Sequence, residues 1–152
     1  MRDLLLVRLP SFLAGTCMLG GIGINFANVV GRYFFGAPIF WAEEAMIFLI
    51  IWAVFLGFVA VTAQGEHLKM DLLARRLPER AQAWLERLGL VLGVVVMLFL
   101  AWQSWASLSR LWRFDMRSIA LDIPMVIPHA AVPVGFVLSA VAAALLLFRG
   151  RR

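Results

Sequence analysis

Four stretches of this chain contain no aspartate, glutamate, lysine or arginine, and each is long enough to cross a bilayer. They cover residues 9–31, 45–65, 88–109 and 123–148, or 23, 21, 22 and 26 residues. A helix needs about 20 apolar residues to span a hydrocarbon core of about 30 Å. Lipid offers no partner to backbone N–H and C=O groups, so an open chain crosses it as helix. Composition agrees. Hydrophobic residues make up 63% of the chain and charged residues 15%, against about 45–50% and 25% for a soluble domain. The expected fold is therefore all-α and integral to the membrane, one domain over residues 1–152. Its four transmembrane helices fall at about residues 9–31, 41–64, 86–112 and 123–148.

The first stretch is read as a retained helix. Its apolar run is too long for a signal-peptide core, and Asn25, Asn28 and Gly31 leave no Ala-x-Ala cleavage site. Four spans put both termini on one side. That side and the segment between spans two and three together carry Arg2, Arg8, Lys69, Arg75, Arg76, Arg80, Arg87, Arg149, Arg151 and Arg152. The opposite side carries Arg32, Arg110, Arg113 and Arg117. The excess of basic residues predicts cytoplasmic termini. The net charge of +5 is thereby explained by lipid headgroups and orientation, without a nucleic-acid partner.

Residues 68–76 alternate Leu68, Met70, Leu72 and Leu73 with Lys69, Asp71, Arg75 and Arg76. This predicts a short amphipathic helix in the headgroup layer. Pro78 follows and suits the first position of the next helix. That helix is expected to run to about Trp112, near 50 Å at 1.5 Å per residue, so it must tilt or protrude.

No span holds an ionisable residue at its centre, where ion-moving proteins place them. Glu43 and Glu44 stand at the start of span two. Adjacent side chains on a helix diverge by about 100°, so the two do not face one pocket together. They favour a helix N-terminus or an ion pair, with Arg32 the nearest basic candidate and Glu44 its expected partner. Small residues four apart predict close helix packing: Ala27 with Gly31, Ala53 with Gly57, Gly89 with Gly93. Asn25, Asn28 and Gln103 are expected to hydrogen-bond between helices. Trp41, Trp84, Trp105 and Trp112 fall near span ends, where aromatic belts form.

Cys17 is the single cysteine and His67 and His129 the only histidines. One thiol makes neither a disulfide nor a zinc or iron–sulfur site. The two histidines are expected at opposite membrane edges, too far apart to share a haem. No cofactor or metal is expected. No Ser/His/Asp or Cys/His arrangement or phosphate-cradling glycine loop occurs, so the chain is not read as an enzyme.

Several stretches share an order and spacing: Asn28-Val-Val-Gly-Arg-Tyr-Phe-Phe-Gly36, then Pro38, Trp41 and Glu43-Glu44. Gln64-Gly-Glu-His67 leads into Met70-Asp71-Leu72-Leu73, followed by Leu77-Pro78. Ile123-Pro124-Met125 and Pro133-Val134-Gly135-Phe136 come last. Over about residues 25–138 the chain resembles the small membrane subunit (DctQ type) of tripartite ATP-independent periplasmic, or TRAP, transporters. Pro128 and His129 depart from the aromatic or aliphatic residues expected there. The resemblance implies a bacterial inner-membrane complex with a large membrane subunit that carries solute and sodium. It also implies a periplasmic solute-binding protein that delivers a small organic, typically carboxylate, solute. The small subunit would brace the large one, and solute recognition would lie with the other two components. The resemblance places the partner interface or its structural motifs at Arg32, Tyr33, Phe34, Trp41, Glu43, Glu44, Gly65, His67, Asp71, Pro78, Pro124, Pro133 and Gly135. The alternatives are a membrane anchor of a redox enzyme, which needs paired in-membrane histidines, and an autonomous four-span exporter. The exporter needs a carboxylate in the lipid core, for which Glu44 is the nearest candidate.

Overall fold

The computed structural model describes residues 4–65 and 78–148. Four helices in it are long and apolar enough to cross a membrane: Leu4–Phe34, Ala42–Gln64, Arg87–Arg113 and Val126–Leu147. The interfacial helix expected at residues 68–76, and with it His67 and Asp71, lies outside the described residues.

The first helix is longer than its charge-free stretch. A π-helical turn over Leu4–Arg8 runs straight into α1, Leu9–Phe34. The widened turn has a local cause. Pro10 has no N–H to give the Leu6 carbonyl, and its ring crowds that carbonyl. Helix α2, Ala42–Gln64, has Glu43 and Glu44 in its first turn, where the positive end of the helix dipole favours them. It ends at Gly65, whose φ of 73° lies in the left-handed region. The Gly65 N–H closes the helix on the Thr62 carbonyl at 3.0 Å, a termination that favours glycine.

Helix α3, Glu79–Arg113, has the 35 residues expected of it. Pro78 sits one place earlier than predicted. It is the extended N-cap residue, and its carbonyl accepts the N–H groups of Ala81 and Gln82 at 2.9 and 3.1 Å. The last span is broken, which its charge-free sequence does not show. Ile123 and Pro124 belong to a turn, and helix begins only with the single turn α4, Val126–His129. Helix α5, Ala131–Phe148, follows. Pro133 explains the break, because it withholds the N–H that the His129 carbonyl would take. The Nδ1 of His129 lies 2.8 Å from the Met125 carbonyl oxygen, which requires the proton on Nδ1.

The helices pack in the order α1, α2, α5, α3. The chain therefore forms a row, with α1 and α3 at its edges. Burial follows the order: in the most apolar 18-residue stretch of each span, 39% of the residues are buried in the last, against 11% in the first and 6% in the third. Along α3, the less exposed Leu90, Val94, Met97, Ala101, Ser104, Leu108 and Leu111 recur every three or four residues. They form the stripe that meets α5. Val91, Leu92, Val95, Phe99 and Trp102 on the remaining surface are exposed.

Small side chains set the helix spacing at the centre of the row. Ala60, Ala101, Ala131, Ala140, Ala142, Ala143 and Ser139 are buried, letting backbones approach closely. Gly135 is the tightest point. A Cβ there would lie 2.8 Å from Cβ and Cδ1 of Phe55 on α2. Next to it, Phe136 meets Phe55 and Phe58 edge-on, with ring centroids 5.4 and 5.9 Å apart. Such pairs contribute about 0.5–1.5 kcal/mol each beyond area burial. The small-residue pairs expected from spacing serve other ends. Gly57 and Gly93 have no neighbour near their missing Cβ, and Gly31 packs on a turn.

Candidate functional site

Seven of the sequence-predicted residues, Arg32, Tyr33, Phe34, Trp41, Glu43, Glu44 and Pro124, lie at one end of the row, where the α1–α2 turn meets the α3–α4 turn. The last turns of α1 hold the first of these turns in place. Asn28 is 4% exposed, and its Oδ1 accepts the Ile39 N–H at 2.8 Å. It was expected to bond to another helix. It holds the turn instead, because a backbone donor in the returning chain lies within reach. Gly31 carries the same turn from below. Its carbonyl accepts the N–H groups of Phe35 and Ala37 at 3.2 and 3.0 Å. The Ala37 oxygen stands 2.8 Å from where a Cβ would be, so only glycine fits. Gly36, with φ of 62°, supplies the left-handed step that reverses the chain.

The turn delivers two neighbouring carboxylates, and they part company. Glu43 Oε1 lies 3.2 Å from Arg32 Nη2. Arg32 therefore pairs with Glu43 and not with Glu44. The divergence of about 100° between adjacent helical side chains turns Glu44 toward the other turn. There Glu44 Oε1 accepts the Ile119 N–H at 3.0 Å. Its Oε2 accepts those of Ala120 and Leu121 at 3.0 and 3.1 Å. The Ser118 hydroxyl is a further hydrogen-bond partner. Successive backbone N–H groups that converge in this way form a nest for an anion. Here the anion is the protein's own.

The receiving turn is ordered in its own right. Asp115 and Asp122 adopt φ of 43° and 53°, the left-handed region that aspartate tolerates better than most residues. Arg117 lies between them, with Nε 3.6 Å from Asp115 Oδ2 and Nη1 3.6 Å from Asp122 Oδ2. Backbone bonds from Ser118 N–H to the Ile123 carbonyl and from Met125 N–H to the Met116 carbonyl, both 2.9 Å, close it. Arg117 and Pro124 thereby form an isolated antiparallel bridge. Pro124 donates nothing, and its carbonyl accepts the Ile127 N–H at 3.0 Å as α4 begins.

The remaining predicted residues divide by position. Tyr33, Phe34 and Trp41 are exposed at this end, together with Phe35 and Phe40. They make an aromatic fringe of the kind found at membrane interfaces. Gly135 sits in the α2–α5 contact, Pro133 is buried in the first turn of α5, and Gly65 and Pro78 flank the undescribed segment at the far end. Sequence reasoning missed the backbone nest of residues 118–121, because main-chain N–H groups carry no sequence signature. The two aspartates around Arg117 were the available hint of an ordered turn.

Chemically this is a clamp. Arg32, Arg117, Glu43 and Glu44 are all engaged, and among the described residues no group of three His, Cys, Asp or Glu is placed to hold a metal. The exporter alternative rests on a free Glu44 carboxylate, and this carboxylate is engaged by the α3–α4 turn.

Comparison with known proteins agrees with this architecture. The family described as "Tripartite ATP-independent periplasmic transporters, DctQ component" matches residues 21–152. The chain is 28% identical over 141 residues to the C4-dicarboxylate TRAP transporter small permease protein DctQ of Vibrio cholerae, covering 76% of this chain and 59% of that protein. It is 27% identical over 139 residues to the ectoine TRAP transporter small permease protein TeaB of Halomonas elongata, covering 91% and 72%. It is 28% identical over 94 residues to the sialic acid TRAP transporter permease protein SiaT of Haemophilus influenzae, covering 61% of this chain but only 15% of that protein. The chain thus spans about three-fifths of the first relative and a small fraction of the last. A row of four membrane helices, clamped at one end by the ordered motif residues and matched over nearly its whole length, belongs to the DctQ family of TRAP transporter small permease components.

Proposed function

We propose that this chain is the accessory small subunit of a sodium-coupled TRAP transporter in a bacterial inner membrane. It braces the scaffold of a large, many-span permease, which moves a small organic acid delivered by a periplasmic binding protein. Both termini and the segment around residues 66–77 face the cytoplasm, with an interfacial helix at about residues 68–76. The clamp of Arg32, Glu43 and Glu44 and the fringe of Tyr33, Phe34 and Trp41 then face the periplasm, on the side where a binding protein docks.

One observation carries the reading: the helices form a row instead of a closed bundle. Each edge helix packs along a single neighbour, which leaves broad apolar faces such as Val91, Val95, Phe99 and Trp102 on α3. A scaffold element that joins a larger membrane protein needs such faces. The SiaT match supports the partner's nature, since the aligned stretch is 15% of a single permease protein. Two relatives named for sialic acid and C4-dicarboxylates support an acidic solute. The experiment is solute uptake in cells that keep the permease and binding protein and lack this chain. Uptake is expected to fall to background and return when the chain is supplied. Full uptake without it would contradict the proposal.

A further inference from the structure

The clamped end holds four arginines and four carboxylates, and their pairing leaves two arginines over. Arg32 takes Glu43, and Arg117 takes Asp115 and Asp122. Glu44 is consumed by backbone N–H groups. Arg110 and Arg113, both in the last turn of α3, have no carboxylate within ion-pair distance among the described residues. The negative end of the helix dipole favours cations there, but it supplies only a fraction of a counter-charge.

Beside Arg113 the surface is hollowed. A cleft of about 530 Å³ lies between the end of α3 and the start of α4, lined by Trp105, Leu108, Ser109, Trp112, Arg113 and Val126. The lining on α3 runs nine residues, from Trp105 to Arg113, or about 12 Å along the helix axis. Its walls are apolar. The Ser109 hydroxyl is already committed to the Ala106 carbonyl at 2.8 Å. The one free charged donor is therefore Arg113, at the terminus of a helix that crosses the membrane.

An apolar slot that opens at the membrane boundary beneath an unneutralised guanidinium has the complement of one ligand class. An acyl chain fills the slot, and a phosphodiester meets the guanidinium, whose planar fork matches phosphate oxygens. The residual charge of Arg110 one helical turn away adds to the preference for a net negative headgroup. We propose that the α3–α4 cleft is a binding site for an anionic glycerophospholipid, with Arg113 as its headgroup ligand and Trp105 and Trp112 against its acyl chain.

The site carries its own reporters, because bromine on an acyl chain quenches tryptophan on contact. The full chain is reconstituted in phosphatidylcholine vesicles containing brominated phosphatidylglycerol or, in parallel, the same mole fraction of brominated phosphatidylcholine. Quenching by the anionic lipid is expected to exceed that by the neutral one, with a local enrichment of about fivefold for one surface arginine. The excess should vanish in Arg113→Gln. It should also vanish in the Trp105→Phe/Trp112→Phe double variant, which leaves Trp41, Trp52, Trp84 and Trp102 as reporters elsewhere. Equal quenching by the two lipids in the unmodified chain overturns the proposal, and points to a helix of the permease as the occupant of the cleft. An excess that survives the double tryptophan variant overturns it as well, by placing the anionic lipid at another basic surface. Helicity by circular dichroism confirms that each variant is folded.

Discussion

At the residue scale, the adjacent carboxylates Glu43 and Glu44 perform separate tasks, and two substitutions tell them apart. Glu44 receives three backbone N–H groups that have no other partner in the α3–α4 turn. Glu44→Ala strands them all and is expected to lower the thermal midpoint of the chain in detergent. Glu44→Gln keeps an acceptor oxygen and should fall between the two. An alanine variant as stable as the parent would show that the nest does not hold the turns together. The Arg32–Glu43 pair is half-exposed to mostly exposed, at 51% and 70%, so it belongs with surface pairs of about 0–1 kcal/mol. Reversing either charge should cost within that range. Arg32→Glu with Glu43→Arg should recover it, whereas Arg32→Glu with Glu44→Arg should not. Gly135→Ala places a methyl group against Phe55 and is expected to cost about 1–3 kcal/mol, as overpacking does. Phe55→Ala in the same chain should return part of that loss in a double-mutant cycle. Much at this scale was legible beforehand. The motif from Asn28 to Gly36, the paired glutamates and Gly135 all mark real structural positions. The choice of Glu43 over Glu44 was not legible, because it depends on a backbone nest 75 residues away in the chain.

At the element scale, charge-free length located all four spans, since lipid leaves the backbone no choice but helix, and Pro78 as a helix opener marked the start of the 35-residue α3. Ends and breaks were harder to read. The first helix extends back to Leu4 because nothing in Leu4–Arg8 prevents another turn, and Pro10 only widens it. The last span resembles an unbroken 26-residue run on charge alone, yet Pro124 and Pro133 divide it into a turn, one helical turn and α5. Proline carries no charge, so a criterion built on charge passes over it. Pro133→Ala tests the origin of the break. It is expected to give α4 and α5 a continuous hydrogen-bond ladder, seen as a slowly exchanging amide at position 133. A fast-exchanging amide there would mean that packing, and not the missing N–H, interrupts the helix.

At the scale of the whole molecule, the arrangement is a row with α2 and α5 inside and α1 and α3 outside. Small residues four apart did not reveal it. Gly57 and Gly93, expected to bring helices together, have open space around them, while the close contacts fall at Gly135 and the alanines of α5. Apolar faces on lipid-facing and partner-facing sides look the same in sequence, because hydrocarbon and a neighbouring helix select similar side chains. The row nevertheless has a consequence for assembly: a closed bundle satisfies itself, and an open layer presents faces that a larger membrane protein can cover. The central claim is that this chain works as one component of a larger permease. The most direct measurement is the mass of the complex that the tagged full-length chain forms when co-expressed with the large permease and extracted in mild detergent. The account predicts a stable complex of one copy of each. A chain that instead emerges only with copies of itself, and moves solute across vesicles unaided, would contradict it.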